Sequence, residues 1–245
     1  MEARIVVREM GKTRGDANRT VHIKIPRLDV RKGEFVAVIG TNGSGKSTLL
    51  DMLGLLLSPD QVETYELNGP SRVDLRRPTR SEILRIRRRH FAYVLQTGGL
   101  LEFLSLRENI RLAGRIGGKA DKEIDTGIRK IGELLGIGDV LDKRPGKVSG
   151  GQRQKAAIAR ALIRAPDIIL ADEPTAAMDT PSAARLMKTF REMTTNAGTS
   201  LILVTHDVER VRDLADAVYH FAISEDGGGE LISVLQPENG HFPAM

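Results

Sequence analysis

The chain has 245 residues, 40% of them hydrophobic, with a net charge of +5, no cysteine and no tryptophan. That is enough apolar material for one domain with a subdomain inserted in it, and it excludes a disordered tail, a disulfide framework and a thiolate metal site. Aromatic residues are only 4% of the chain, few for a protein that stacks nucleic-acid bases.

The amino end, "MEARIVVREMGKTRGD", breaks its apolar stretch with charge after three or four residues, so no secretory signal is expected there. "RIVVREM", "VHIKIPRLDV" and "EFVAVIG" read as extended segments, the last a continuous apolar run of the kind covered on both faces. It ends at Gly40 and enters "GTNGSGKSTLLDMLGLLL", whose second half reads as a helix. The apolar run "LLDMLGLLL" is interrupted by Asp51 and Gly54 and falls short of the roughly 20 residues that span a bilayer, so any membrane role is expected to come through a partner.

After "VETYELNG", residues 71–90 hold eight arginines against Asp74 and Glu82, a local +6 that leaves the remaining chain slightly acidic. This segment reads as a helix. A solvated face, an acidic protein or lipid-headgroup partner and nucleic acid all fit it, and the scarcity of aromatics disfavours the last.

"FAYVLQ" reads as another buried strand, closing at Gln96. Residues 98–148 then change character: "LSLRENIRLAGRI" and "KEIDTGIRKIGELLGI" have helical spacing and no convincing strand separates them. A helix beginning at "SGGQ" follows, and buried strands return as "DIILAD" and "SLILVTH", separated by a helix after Asp179. Strand, helix, strand at these lengths implies a parallel sheet with the helical block inserted in it. The segment "AVYHFAISEDGGGELISVL" reads as two strands around a glycine turn.

Four features carry chemistry. "GTNGSGKST" supplies Gly40, Thr41, Asn42, Gly43, Ser44, Gly45, Lys46, Ser47 and Thr48 after a strand and at a helix start, the setting of a phosphate-binding P-loop. Gly43 and Gly45 let the backbone wrap phosphates, Lys46 reaches the β and γ oxygens, and the Ser47 hydroxyl can ligate Mg²⁺. "IILADEPT" ends an apolar strand in two acids, placing Asp172 to hold Mg²⁺ and leaving Glu173 to polarise a water. His206, in "LILVTHDV", stands on the carboxyl edge where open α/β sheets bind ligands, and Gln96 has a similar edge position. A second anion site is set by Ser149, Gly150, Gly151 and Gln152, where glycines open the positively polarised start of a helix.

These motifs, in this order, resemble the ATP-binding-cassette (ABC) ATPases over essentially the whole chain. The resemblance implies an α/β fold: a P-loop NTPase (RecA-like) core with a parallel sheet, an N-terminal antiparallel β subdomain and an inserted all-helical subdomain. In this chain the single domain would have its core at 1–97 plus 149–245 and the helical part at about 98–148. The cofactors implied are ATP and Mg²⁺, with Ser47, Gln96 and Asp172 around the metal. Thr48 would touch the α-phosphate, Glu173 would be the catalytic base, His206 would brace the γ-phosphate, and Asp179 would be the D-loop acid. Ser149 to Gln152 would close over the ATP held by a second copy, so the implied assembly is a head-to-tail dimer around two shared nucleotides.

Some positions depart from the family pattern. Val148 opens the signature and Met178 stands in the D-loop where leucines are usual, and Arg14 is the best match to the aromatic that stacks on adenine. A guanidinium plane can stack on a base, which leaves selectivity for ATP over GTP to Arg14.

Three readings of such a chain compete. In the first it is the ATPase of a transport or mechanotransmission complex, cytoplasmic and held to the inner face of the membrane by an integral permease, with no nucleic acid involved. "TGGLLEFLSLREN" then lies where relatives receive a permease, and "EILRIRRRHFAYVLQ" resembles ATPases serving lipoprotein-release, macrolide-efflux and cell-division permeases. In the second it is a soluble ATPase of iron–sulfur cluster assembly. The third, a non-catalytic nucleotide-gated module, requires a defective acid pair, and this pair is intact.

Overall fold

The computed structural model describes residues 3–15, 20–69 and 72–238; the remainder of the tail after Glu238 and Ser71 of the arginine-rich segment lie outside them. In chain order the elements are β1 (Ala3–Gly15), β2 (Thr20–Arg31), β3 (Phe35–Ile39), α1 (Lys46–Leu53), β4 (Thr64–Asn68), β5 (Arg72–Asp74), α2 (Arg80–Arg89), β6 (Phe91–Val94), α3 (Leu106–Ile116) and α4 (Asp121–Leu135). After two short 3₁₀ turns come α5 (Gly150–Leu162), β7 (Ile168–Asp172), α6 (Thr180–Ala197), β8 (Ser200–Thr205), α7 (Glu209–Arg212), β9 (Ala217–Glu225) and β10 (Leu231–Pro237).

The ten strands among the described residues form one sheet in the order β5-β4-β1-β2-β10-β9-β3-β8-β7-β6. Strands β9, β3, β8, β7 and β6 run parallel to one another, while β1 pairs antiparallel with both β2 and β4. The antiparallel part joins the parallel part through β10, parallel to β2 and antiparallel to β9.

Alternation along the central strands explains why they read as unbroken apolar runs. Phe35, Ala37, Ile169, Ala171, Leu201 and Leu203 face one core, which α3, α4, α5 and α6 complete. Their neighbours Val36, Val38, Ile168, Leu170, Ile202 and Val204 face a second core with α1 and the inward residues of β1, β2 and β4. Successive side chains of a strand point to opposite faces, so burial on both sides requires apolar residues at every position.

The helices begin where local chemistry satisfies their free N–H groups. Thr79 with Glu82, Ser105 with Glu108, and Ser149 with Gln152 form reciprocal capping boxes at α2, α3 and α5. Asp179 caps α6 by accepting from the Ser182 N–H at 2.9 Å.

Several expectations shift in detail. The β6 strand stops at Val94, two residues before Gln96. Helix α1 ends at Leu53, because the chain turns at Gly54 and Leu55 takes a left-handed φ of 55°. The arginine-rich segment is not one helix: its first part pairs with β4 as β5, which one-dimensional spacing cannot reveal, and α2 starts only at Arg80.

Helices α3 and α4 approach closely because Gly114 has no side chain; a Cβ there would come within 2.7 Å of Ile124 Cγ1. Gly114→Leu is expected to force the two helices apart and to cost about 1–3 kcal/mol, read as a lower denaturation midpoint. An unchanged midpoint would show that this contact is not tight.

Candidate functional site

The pairing of the parallel strands builds the site. Ile39 is opposite Thr205, Asp172 opposite Val204 and Val94 opposite Ala171. The four strands therefore end at one edge, and the residues just past those ends gather there. A cavity of about 510 Å³ lies at this edge, lined by Arg14, Val21, Ile23, Thr41, Asn42, Gly43, Gly45, Lys46, Ser47, Thr48, Gln96, Asp172, Glu173 and His206.

Residues 40–48 wrap one side of the cavity. Gly43 and Gly45 have φ of 80° and 104°, and a Cβ on Gly45 would also meet the Ile23 side chain at 2.9 Å, so glycine is required there by backbone and neighbour alike. The Lys46 ammonium donates to the carbonyls of Gly40 at 2.7 Å and Thr41 at 2.9 Å. Burial lowers its pKa, and the charges of Glu173 and Asp172 oppose that shift. A concave surface of backbone groups at a helix start, with one cation held at its mouth, is suited to phosphate oxygens.

The acidic side is asymmetric. Asp172 ends β7, and burial pushes its pKa up, with the Ser47 hydroxyl pulling it down and Glu173 and Asp51 pushing it up. Glu173 is 7% exposed and sits at φ 45°, in the left-handed region. Such strain costs about 1–3 kcal/mol in a non-glycine residue and persists only where the surroundings hold it. Here the Glu173 N–H donates to the Val204 carbonyl at 3.0 Å. The Thr205 hydroxyl donates to Oε2 at 3.1 Å, and His206 Nδ1 lies 2.8 Å from Oε1. The carboxylate is thus fixed at both oxygens while the outer side chain of His206 remains open to solvent.

Helix α5 reaches the same edge from the other side. Gln154, 2% exposed, donates to the Leu95 carbonyl at 3.1 Å, and Arg160 donates to the carbonyls of Gly98 and Gly99 at 2.9 and 2.5 Å. These bonds hold the loop that carries Gln96.

Ser149, Gly150, Gly151, Gln152 and Asp179 are not among the residues lining the cavity. Gly150 and Gly151 instead pack against Ala177 and Met178, just before Asp179, and Ser149 is engaged in its own helix cap. Gly40 and Ser44 stand behind the lining, Ser44 fully buried. The structure adds Val21, Ile23 and Thr205, which sequence reading passed over. Val21 and Ile23 lie in β2, far along the chain, and Thr205 reads simply as the last residue of an apolar strand.

Ser47, Gln96 and Asp172 all line the cavity. Among the described residues no group of three or more His, Asp or Glu side chains could hold a metal ion by itself. One carboxylate with neutral oxygen donors suits Mg²⁺, which commonly completes its shell with water and substrate phosphates.

Comparison with known proteins gives one consistent result. Residues 23–176 match the family model described as ABC transporter. The macrolide export ATP-binding/permease protein MacB of Marinobacter nauticus is 37% identical over 213 residues, covering 86% of this chain and 32% of that protein. The chain thus spans about a third of the length of the macrolide-export relatives it matches. The ABC transporter ATP-binding protein YvcR of Bacillus subtilis is 40% identical over 180 residues, 74% of this chain and 68% of that one.

Among solved structures, the dimeric post-hydrolysis state of the ATP-binding cassette MJ0796 bound to ADP and Pi superposes with a TM-score of 0.79 at 28% identity, covering 88% of this chain and 93% of that one. The structure of cbiO1 from Clostridium perfringens, part of the ABC transporter complex cbiONQ, gives 0.72 at 26% identity over 90% and 85% of the two chains.

Thr205 is buried, and its hydroxyl both donates to Glu173 and accepts from the Asp207 N–H at 3.0 Å. Thr205→Val, nearly the same shape without the hydroxyl, is expected to destabilise the chain by about 1–3 kcal/mol in denaturant titration. No measurable loss would mean that Thr205 does not hold the carboxylate.

Proposed function

The chain belongs to the ABC transporter family and is an ATP-hydrolysing cassette, and from that premise we propose how its own residues bind and cleave the nucleotide and what they drive. The triphosphate lies along residues 40–48. Backbone N–H groups and the α1 start take up its charge, Lys46 bridges the β and γ oxygens, and Thr48 contacts the α-phosphate. Ser47, Asp172 and Gln96 would hold Mg²⁺, with the shell completed by water and the bound phosphates. When bound, the ion neutralises charge developing on the transferred phosphoryl group.

Glu173 is the general base. Its carboxylate accepts a proton from the water that attacks the γ-phosphorus, and the bond to the β–γ bridging oxygen breaks to leave ADP and inorganic phosphate. His206 is oriented by Glu173 and faces the γ-phosphate. The observation that carries this reading is the Glu173 carboxylate, held at both oxygens by Thr205 and His206 beside Asp172 and Lys46 in one cavity. Phosphoryl transfer needs chiefly such positioning and charge stabilisation.

Ser149, Gly150, Gly151 and Gln152, with Asp179 beside them, act on the nucleotide of a second copy. Their place outside their own chain's cavity supports this division, as does the dimeric state of the MJ0796 cassette. The dimer closes head to tail around two ATP molecules and drives an integral membrane permease. No described helix is long and apolar enough to cross a membrane, and the MacB relatives, of which this chain matches about a third, are named ATP-binding/permease proteins. The iron–sulfur assembly alternative has no support among the relatives and structures named above. Arg14 lines the cavity and offers its guanidinium plane to the base.

Glu173→Gln is expected to lower ATP turnover by roughly two to four orders of magnitude while ATP stays bound and a dimer accumulates in gel filtration; a variant hydrolysing at the parental rate would remove Glu173 from this role. Arg14→Ala should weaken ATP binding by about three- to tenfold and alter the ratio of ATP to GTP hydrolysis. If the ratio and affinity both stay put, Arg14 does not contact the base.

A further inference from the structure

The strand β10 has one polar residue on an otherwise apolar inward face. Ser233, Leu235 and Pro237 are its buried positions, and Ser233 is 0% exposed. A hydroxyl so buried needs a partner to offset its lost hydration. That partner lies 189 residues away in sequence: the Ser233 hydroxyl donates to the main-chain carbonyl of Ser44 at 2.6 Å. The side chain of Ser44 is itself buried and makes no hydrogen bond among the described residues, so the contact falls on the backbone of the phosphate loop.

Ser233 does not act alone on that peptide. It is directly opposite Ile23 in the parallel pairing of β10 with β2, and the Ile23 side chain fills the space where Gly45 would carry a Cβ. The two facing residues form a pad beneath the Ser44–Gly45 peptide, one gripping its carbonyl and the other packed against the α-carbon that follows. A trans peptide is planar, with its N–H directed opposite to its C=O, and no described peptide is cis. A carbonyl anchored back toward β10 therefore turns the Gly45 N–H forward, away from the sheet and toward the cavity that Gly45 lines.

We propose that Ser233 is a positioning residue for the phosphate cradle: its hydroxyl sets the orientation of the Ser44–Gly45 peptide so that the Gly45 N–H is presented to a phosphate oxygen. The inference rests on the nucleotide reading given above and extends it to a strand that contributes no side chain to the cavity. Preorganisation of a donor lowers the cost of binding because its orientation is set before the ligand arrives. Ser233 thus acts on affinity for the di- and triphosphate, whereas Glu173 acts on the rate of cleavage.

The test is Ser233→Ala in the full chain, with Kd for ADP and ATP, KM and kcat, and thermal stability measured together. Loss of this buried bond is expected to raise Kd and KM about tenfold for both nucleotides, with kcat at saturating ATP changed less than about twofold. Ser233→Thr, which restores a hydroxyl, should recover most of the affinity, and Ser233→Cys, a weaker donor of similar size, should fall between and replaces the alanine variant if that does not fold. A lowered melting temperature with Kd unchanged, or a loss confined to kcat, overturns the proposal. If the wild-type chain binds neither nucleotide, the nucleotide reading itself fails, an outcome distinct from a variant that matches the wild type.

Discussion

The parallel hydrogen-bond ladder across β3, β8, β7 and β6 is the constraint on which the rest depends. Its register makes four strands stop together, and only then do a lysine at 46, a glutamine at 96, an acid pair at 172–173 and a histidine at 206 share one cavity. Backbone pairing, which is blind to side-chain identity, supplies the coarse placement. Finer placement comes from single side chains: Thr205 and His206 on Glu173, and Gln154 and Arg160 on the loop after β6.

The two sheet faces divide the labour. The core shared by α1 with β1, β2 and β4 supports residues 40–48 from below, and the core under α3, α4, α5 and α6 carries the helix start at Ser149 to Gln152. Helix α5 belongs to both stories, because its N-terminus holds Ser149 to Gln152 and its body grips the loop bearing Gln96. In the proposed dimer, α5 would therefore link the two nucleotide sites mechanically, through its tip on one side and the loop bearing Gln96 on the other.

Much of this was legible in the residues themselves. The apolar runs at 35–39, 168–172 and 200–205 are strands because both of their faces are covered, and the helical spacing of "LSLRENIRLAGRI" is met by α3. The site motifs were readable because each is short and local. What escaped depends on pairing between distant segments. Nothing near Ser233 hints at Ser44, nothing in β2 announces that Ile23 would press on Gly45, and the β5 strand within the arginine-rich segment exists only because β4 offers it an edge. Glu173 presents the same lesson in miniature: its identity suggests a base, but its left-handed backbone and its two clamps are visible only in three dimensions.

The central claim is that one chain supplies half of each nucleotide site, and mixing two defective variants tests it most directly. Lys46→Ala spoils a chain's own phosphate loop and Ser149→Glu spoils the helix start it lends to its partner, so each variant alone has no intact site. In a mixed dimer, one site combines the sound loop of one chain with the sound helix start of the other. The account predicts that ATP hydrolysis, absent from either variant by itself, returns on mixing. Two variants that stay inactive when mixed while still forming dimers, or a Ser149→Glu chain fully active by itself, would contradict it.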